Sequence, residues 1–235
     1  MAKTSWKPGN MIYPLPAVMV TCRDKGQDNI ITIAWTGTIC TNPPMTYISV
    51  RPERHSYEMI KNSGEFVINL TTKQLTRATD FCGVRSGRDV DKFKEARLTK
   101  EEAQVVDAPI IAESPVNIEC KVEKIVPLGS HHMFMAKVVN IMVDDDYMED
   151  NGRFALEKTN PLIYSHGGYY ETGAAGKSRG CRYQHSGSED HPSVLCAGDR
   201  FRYAEEAAGG CYHRCPPEDR GGRGQYGGNG PVQIK

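Results

Sequence analysis

Residues 29–70 read NIITIAWTGTICTNPPMTYISVRPERHSYEMIKNSGEFVINL, and the fold is decided within this stretch. Ile31, Ile33 and Trp35 alternate with Thr32, Ala34 and Thr36, the period-two pattern of a strand. After the breaker Asn42-Pro43-Pro44, residues Thr46 to Val50 resume an extended, β-rich run. Past Pro52, Ser56 is placed to cap a helix that runs through Asn62, with Met59 and Ile60 on its buried side and Gly64 as the stop. Phe66 to Leu70 then makes a buried strand. A helix N-terminus carries free N–H groups and a partial positive charge, so Arg51, Arg54, His55 and Ser56 beside it suit a phosphate. The same residues also describe a solvated turn with surface charges, and both readings stand.

Further along, Val116, Ile118, Cys120 and Val122 alternate with Asn117, Glu119, Lys121 and Glu123, which predicts a half-buried antiparallel strand. Pro127 to Ser130 reads as a turn and Met133 to Val143 as the returning strand of a hairpin. Helical pieces are short. One lies near Thr72 to Thr79, and another follows Thr99, where Thr99 and Glu102 have capping-box spacing. Many strands without a regular βαβ alternation predict a mainly β barrel with a few decorating helices.

Composition narrows the function. Lysine plus arginine equals aspartate plus glutamate, 29 each in 235 residues, so bulk charge favours neither nucleic acid nor an anionic membrane. Met1 to Asn10 has no apolar targeting core, and Pro14 and Pro16 interrupt the stretch after it, so a cytoplasmic protein without a membrane span is expected. Cys22, Cys40, Cys82 and Cys120 are scattered and read as reduced thiols. Near Gly173 the composition changes to Gly, Arg, Cys and Pro, with Val194, Leu195, Val232 and Ile234 supplying the remaining Ile, Val and Leu. Such a segment buries too little to offset its ordering entropy. One domain at 1–173 and a tail at 174–235 are expected, the tail being disordered or the product of a reading-frame change.

Four stations carry candidate chemistry. Thr36-Gly37-Thr38 offers either a close backbone approach for a flat ligand or an ordinary β-turn. Arg51 to Ser56 is the anion seat. Asn69, ending a strand, can bond a heterocycle edge or a neighbouring strand. Asp80 to Phe93, with Cys82-Gly83, Ser86-Gly87 and Lys92, is a loop able to wrap a phosphate, or a polar surface loop. Nothing nearby in sequence activates Cys82 as a nucleophile. Neighbouring His131 and His132 point to opposite faces of a strand, which makes them a poor metal chelate. Cys211, His213 and Cys215 in the tail, with Cys181 and Cys196 upstream, lack paired metal-site spacing. No P-loop, GxSxG or HExxH motif occurs.

Together these segments resemble the flavin reductase-like family, the FMN-binding split barrels that include flavoredoxins and ferric reductase-like proteins. The resemblance runs through Pro8-Gly9-Asn10-Met11, Pro14-Leu15-Pro16, Ile33-Ala34-Trp35-Thr36-Gly37, Ser49-Val50-Arg51-Pro52 and His55-Ser56-Tyr57. It continues in Phe66-Val67-Ile68-Asn69-Leu70, Asp80-Phe81-Cys82-Gly83, Ser86-Gly87, Asp91-Lys92-Phe93, Gly129-Ser130-His131 and Tyr169-Tyr170, and so covers nearly all of 8–173 in order.

The resemblance implies a homodimer of Greek-key split barrels, each binding FMN near the interface. Ala34, Trp35, Thr36, Gly37 and Thr38 would lie along the isoalloxazine, with Ser49 and Val50 beside them and Asn69, Cys82, Gly83 and Ser86 near the ring and ribityl chain. Arg51, Ser56 and Lys92 would hold the 5'-phosphate, His131 would stand at the flavin edge, and Tyr169 would cap the ring. His132 departs from the family pattern. No protein acid or base is assigned, because a flavin carries its own redox chemistry. The implied activity is transfer of a hydride from NAD(P)H through FMN to free flavin, ferric iron or a protein. Two alternatives remain: a flavoredoxin-type carrier without a nicotinamide site, and a metal- or partner-binding protein that acts through its tail.

Overall fold

In the computed structural model, which describes residues 1–170 in full and the backbone of 171, 181–184 and 194–196, the chain is mainly β. After β1 (Leu15–Pro16), β2 (Val18–Asp24) and β3 (Gln27–Ile33) form a hairpin. Its turn residues Lys25 and Gly26 both have positive φ, 50° and 76°, the backbone that matches strand twist in a two-residue turn. A second hairpin joins β4 (Thr36–Thr41) to β5 (Pro44–Val50), and α1 (His55–Ser63) carries the chain back to β6 (Glu65–Leu70). A 3₁₀ turn leads into α2 (Thr76–Val84), then come α3 (Lys92–Glu95) and the small pair β7 (Lys100–Glu102) and β8 (Pro109–Ile111). The long hairpin β9 (Val116–Leu128) and β10 (His131–Val143) completes the main sheet. A second sheet follows with β11 (Leu162–Ser165), β12 (Gly168–Glu171), β13 (Cys181–Gln184) and β14 (Val194–Cys196).

The main sheet runs β3-β2-β6-β9-β10-β5-β4, antiparallel throughout, with the crossover from β5 to β6 giving the Greek-key character. Register shifts in β10 and β4 add local twist, and the sheet curls until both ends face one core. Ile31 and Ile33 from one end and Ile48 and Val50 from the other pack with Val20, Phe66, Ile68 and Phe134. The amide of Ser49 donates to Trp35 O at 2.9 Å and ties β5 to the end of β3. Helix α1 plugs this interior with Tyr57, Met59 and Ile60. The other face of β2 and β3 is covered by α2 and α3, where Met19 and Ile30 meet Ala78, Cys82 and Phe93. No helix among the described residues is long and apolar enough to cross a membrane.

Four local expectations are corrected. The strand through Thr36 ends at Ile33, because the chain turns at Ala34-Trp35 to start β4. Ser56 is not the helix cap. Arg54 stands at that position without a side-chain cap, while Gly64, at φ 71°, closes the helix by donating to Ile60 O. The predicted helix after Thr99 is instead β7 and a loop, because tertiary partners take its capping groups: Thr99 N–H goes to the Glu113 carboxylate and Glu102 to Arg23. Finally, Pro127 and Leu128 belong to β9, and the polar face of that strand is buried at Asn117 and Glu119 under residues 103–111.

The chain divides into a unit at Met1–Asp199 and one at Arg200–Lys235, the second outside the described residues. The first extends past Gly173, since β13 and β14 continue the second sheet from β12. The rest of the tail, with Cys211, His213 and Cys215, lies outside the described residues.

Candidate functional site

Two connected cavities open where β3, the β5–α1 corner, α2 and the β11–β12 hairpin meet. The larger, about 410 Å³, is floored by Ile31, Thr32, Ile33 and Ala34 and walled by Trp35, His131, Tyr164 and Tyr169. The smaller, about 210 Å³, is basic, with Arg51, Arg54, Arg85, Arg88 and Lys92 around the first turn of α1. Ile31, Arg51, Arg54 and Gly83 line both, so the aromatic-walled space and the basic one form a single contiguous site.

Local structure explains each wall. Trp35 sits on the bend after β3 and meets His131 with ring centroids 4.5 Å apart. His131 Nδ1 lies 2.9 Å from Ser130 Oγ in the β9–β10 turn. The β11–β12 turn at His166-Gly167, both at positive φ, brings Tyr169 opposite Tyr164 so that their rings meet edge-on at 5.6 Å. Asp80, Gly83 and Val84 come from α2, which docks on β3 where the Thr32 hydroxyl donates to Thr79 O.

The basic cavity rests on buried polar contacts. Lys92 is 5% exposed and its Nζ donates to Ile30 O at 2.6 Å and Cys82 O at 2.8 Å. Burial pushes this amine down to about 8. Asn29 Nδ2 donates to Ser56 Oγ at 2.8 Å, which holds the first turn of α1 against β3. The uncapped α1 N-terminus thus faces the cavity, aided by its dipole. His55 and His131 both titrate below the usual imidazole range, first through burial and then through nearby cations: Arg88 and Lys92 for His55, Arg51 and Arg54 for His131. Near neutral pH they act as hydrogen-bonding groups rather than as charges. The Cys82 thiol is pushed up to about 11 by burial, so it packs rather than attacks.

Gly87 has a steric reason. A Cβ there would stand 2.1 Å from Asn29 Oδ1, and Asn29 is buried and engaged with Ser56. Gly87→Ala is expected to displace Asn29, loosen the α1 N-terminus and weaken phosphate-ligand binding about tenfold, measured by titration. An unchanged affinity would mean that the loop yields without disturbing the cavity.

Of the residues singled out in the sequence, Ala34, Trp35, Ser49, Val50, Arg51, Gly83, His131 and Tyr169 line the larger cavity, while Ser56, Cys82, Ser86 and Lys92 line the smaller. Five are placed elsewhere. Thr36 is buried, donating to Tyr47 O at 2.5 Å, and Gly37 and Thr38 run along β4, where Tyr47 covers Gly37. Asn69 is fully buried. Its amide donates to Met19 O at 2.9 Å, and its oxygen accepts from Ile111 N and Asn117 Nδ2. It is the strand-satisfying alternative that the structure selects. His132 faces away from the site, with Nδ1 2.6 Å from Tyr57 Oη. Arg54 and His55 of the anion seat line the site as read, and Asn29, Arg85, Arg88 and Tyr164 line it without having been assigned to it. The closest signal was the Arg85-Ser86-Gly87-Arg88 run just past α2.

Residues 10–173 match the family described as Flavin reductase like domain. The chain belongs to this family. The match ends where the composition changes. A flavoredoxin from Desulfovibrio vulgaris (Miyazaki F) is similar at 30% identity and TM-score 0.69, over 73% of this chain and 94% of that one. A split barrel domain protein from Shewanella frigidimarina NCIMB 400 shares the fold, with TM-score 0.59 and 20% identity over 81% of this chain and 87% of that one. An uncharacterized protein of Aeropyrum pernix is 30% identical over 155 residues, 66% of this chain and 58% of its own length. The chain therefore spans just over half of that relative. The flavin reductase-like body is a mainly β split barrel with few helices.

Proposed function

We propose that this flavin reductase-like protein binds FMN and transfers a hydride or electrons through it from NAD(P)H to free flavin, ferric iron or a protein. The observation that carries this reading is the continuity of the aromatic cleft with the basic cavity, a match to the flat ring and the phosphate of one mononucleotide. The donor set fits: two guanidiniums at the junction, a buried ammonium and an uncapped helix N-terminus suit a phosphate dianion. The glycine at 87 leaves Asn29 in place on that cavity's wall, bonded to Ser56.

When bound, FMN supplies the redox chemistry itself. The chain's own work is placement. Trp35, His131 and Tyr169 enclose the ring space and thin the water around it, Arg51 and Arg54 orient the ligand at the junction, and Lys92 with the Ser56 end of α1 hold its phosphate. A reduced nicotinamide has to stack within about 3 to 3.5 Å of the flavin for transfer. NAD(P)H use is inherited from the family resemblance. The proposal includes a homodimer with FMN near its interface, in keeping with apolar surface left at Trp35, 37% exposed, and at Ile39 on edge strand β4. It also includes a cytoplasmic setting, which suits four free cysteines among the described residues.

The flavoredoxin-type carrier is the second reading, favoured by the similarity to the Desulfovibrio flavoredoxin along nearly all of that chain. An absorbance spectrum of the purified protein, anaerobic titration with NADH and NADPH, and turnover with added flavin or ferric complex test both. A yellow protein that turns over is expected. Bound FMN reduced by a protein partner, with no turnover from either nicotinamide, would establish the carrier instead, and a protein that binds no FMN would overturn both.

A further inference from the structure

Residues 1–12, ahead of β1, form no strand or helix and are exposed along their whole length. They nevertheless carry large apolar side chains: Trp6 is 77% exposed, Met11 65% and Ile12 86%. An indole and two long aliphatic groups held together in water are a surface in search of a cover.

The root of this segment is fixed beside the aromatic cleft. Tyr13 meets His166 with ring centroids 4.3 Å apart. Leu15 and Pro16 of β1 pair with Tyr164 and Ile163 of β11, and Ala17 packs with Leu162 and Tyr169. Ala17, Tyr164, Gly167 and Tyr169 all line the larger cavity, so the segment leaves the fold from the wall of the cleft itself, although none of residues 1–14 is in that lining. From Tyr13 back to Trp6 an extended chain reaches about 23 to 25 Å, whereas a compact space of 410 Å³ is about 7 Å across. Between the two lies Pro8-Gly9, a pair that favours a change of direction, and Gly9 has open space around it. The segment therefore has both the length and the bend to fold back over the cleft.

We propose that residues 6–12 form a strap that closes over the mouth of the aromatic cleft when its ligand is bound, with Trp6 stacked on the flavin ring. This rests on the FMN reading. An indole suits the task because it is flat and aromatic like the ring beneath it, and offset stacking removes apolar area of both from water. The strap holds the cofactor in place, and its exposed state in the free chain is the open form.

Two measurements on the full chain test this. Trp6 and Trp35 are the two tryptophans of the sequence, so Trp35→Phe makes Trp6 the sole indole emitter, and acrylamide quenching of its fluorescence with and without FMN reports whether it is covered. Stopped-flow displacement gives the rate at which FMN leaves Trp6→Ala, with Trp6→Phe as the conservative control. Quenching that falls about threefold or more on FMN binding, together with FMN loss about tenfold faster from Trp6→Ala and near the unaltered rate from Trp6→Phe, is the expected result. If Trp6 stays as accessible with FMN as without it, or FMN leaves Trp6→Ala within twofold of the unaltered rate, the strap does not exist. Shielding that is lost on dilution while FMN stays bound puts the segment on a second copy of the chain and overturns closure over its own cleft. A chain that binds no FMN, seen as an unshifted flavin spectrum, sinks the flavin reading and the strap with it, a result distinct from the others.

Discussion

Glu119→Ala lowers the unfolding free energy by about 3 kcal/mol, the expected result for removing a carboxylate that ends several hydrogen-bond chains at once. Glu119 lies in β9, is completely buried, and has no cation beside it among its hydrogen-bond partners. Its oxygens accept from Gln104 N at 3.1 Å, Val105 N at 2.6 Å, Val106 N at 3.0 Å and Asn140 Nδ2 at 2.7 Å. Alanine leaves these donors to water or to nothing, and it unpins the segment that seats Val106, Ala108 and Ile110 over Val67. For a chain of this size the loss corresponds to a fall in Tm of roughly 6–12 °C. Burial opposes the charge of Glu119, but the donors from Asn140 and the loop outweigh it and hold the carboxyl below its ordinary range. A depressed folded value means stability that is present above the unfolded value of about 4.3 and is lost as pH falls through the folded one. The variant should therefore lose part of its acid sensitivity as well. Urea unfolding at pH 7 and pH 4 checks both, and a cost under about 1 kcal/mol would mean that the loop is held by its apolar contacts alone.

Lys92→Met should weaken FMN binding by about ten- to a hundredfold, the largest single effect expected within the site. The ammonium is already directed by two backbone carbonyls and lines the phosphate cavity, so little reorganisation accompanies binding. Because burial lowers this amine to about 8, it loses its proton in the free protein above that pH. A bound phosphate dianion favours the charged form, so binding takes up a proton there and FMN affinity declines as pH rises past about 8. In the Met variant that decline should vanish. Riboflavin, which has no phosphate, should bind with no such decline even to the unaltered protein. Circular dichroism controls for the carbonyls left without the amine. An unchanged affinity and pH profile in the variant would remove Lys92 from the phosphate seat.

The strands were legible where one face is apolar and the other polar. The alternation from Val116 to Val122 located the central hairpin because its inward residues fill the barrel in sequence order. Periodicity was blind to what covers the other face. Glu119 and Asn117 read as solvent-facing and are buried, because residues 104–106 supply partners to Glu119 and Asn69 and Ile111 supply them to Asn117. The capping-box signal at Thr99 failed for the same reason: Arg23 and Glu113, both remote, outbid the local helix for its polar groups. In the site, Arg51, His55 and Ser56 could be read because helix signals surround them, although Ser56 proved to be a partner of Asn29 rather than a cap. Asn69 was placed with the flavin by resemblance, and its hydrogen bonds place it in the sheet.

By itself the sequence determined that the chain is a mainly β barrel with an anion seat at a helix start, since strand alternation, turn residues and helix ends are properties of near neighbours. Only the tertiary structure decided that the aromatic cleft and the basic cavity are one site, and that Arg85 and Arg88 belong to it. The physical reason is reach. Charge and ring contacts act through space over a few ångströms, and residues 35, 54, 88, 131 and 169 come within that distance only after the sheet has curled and α2 has docked on β3.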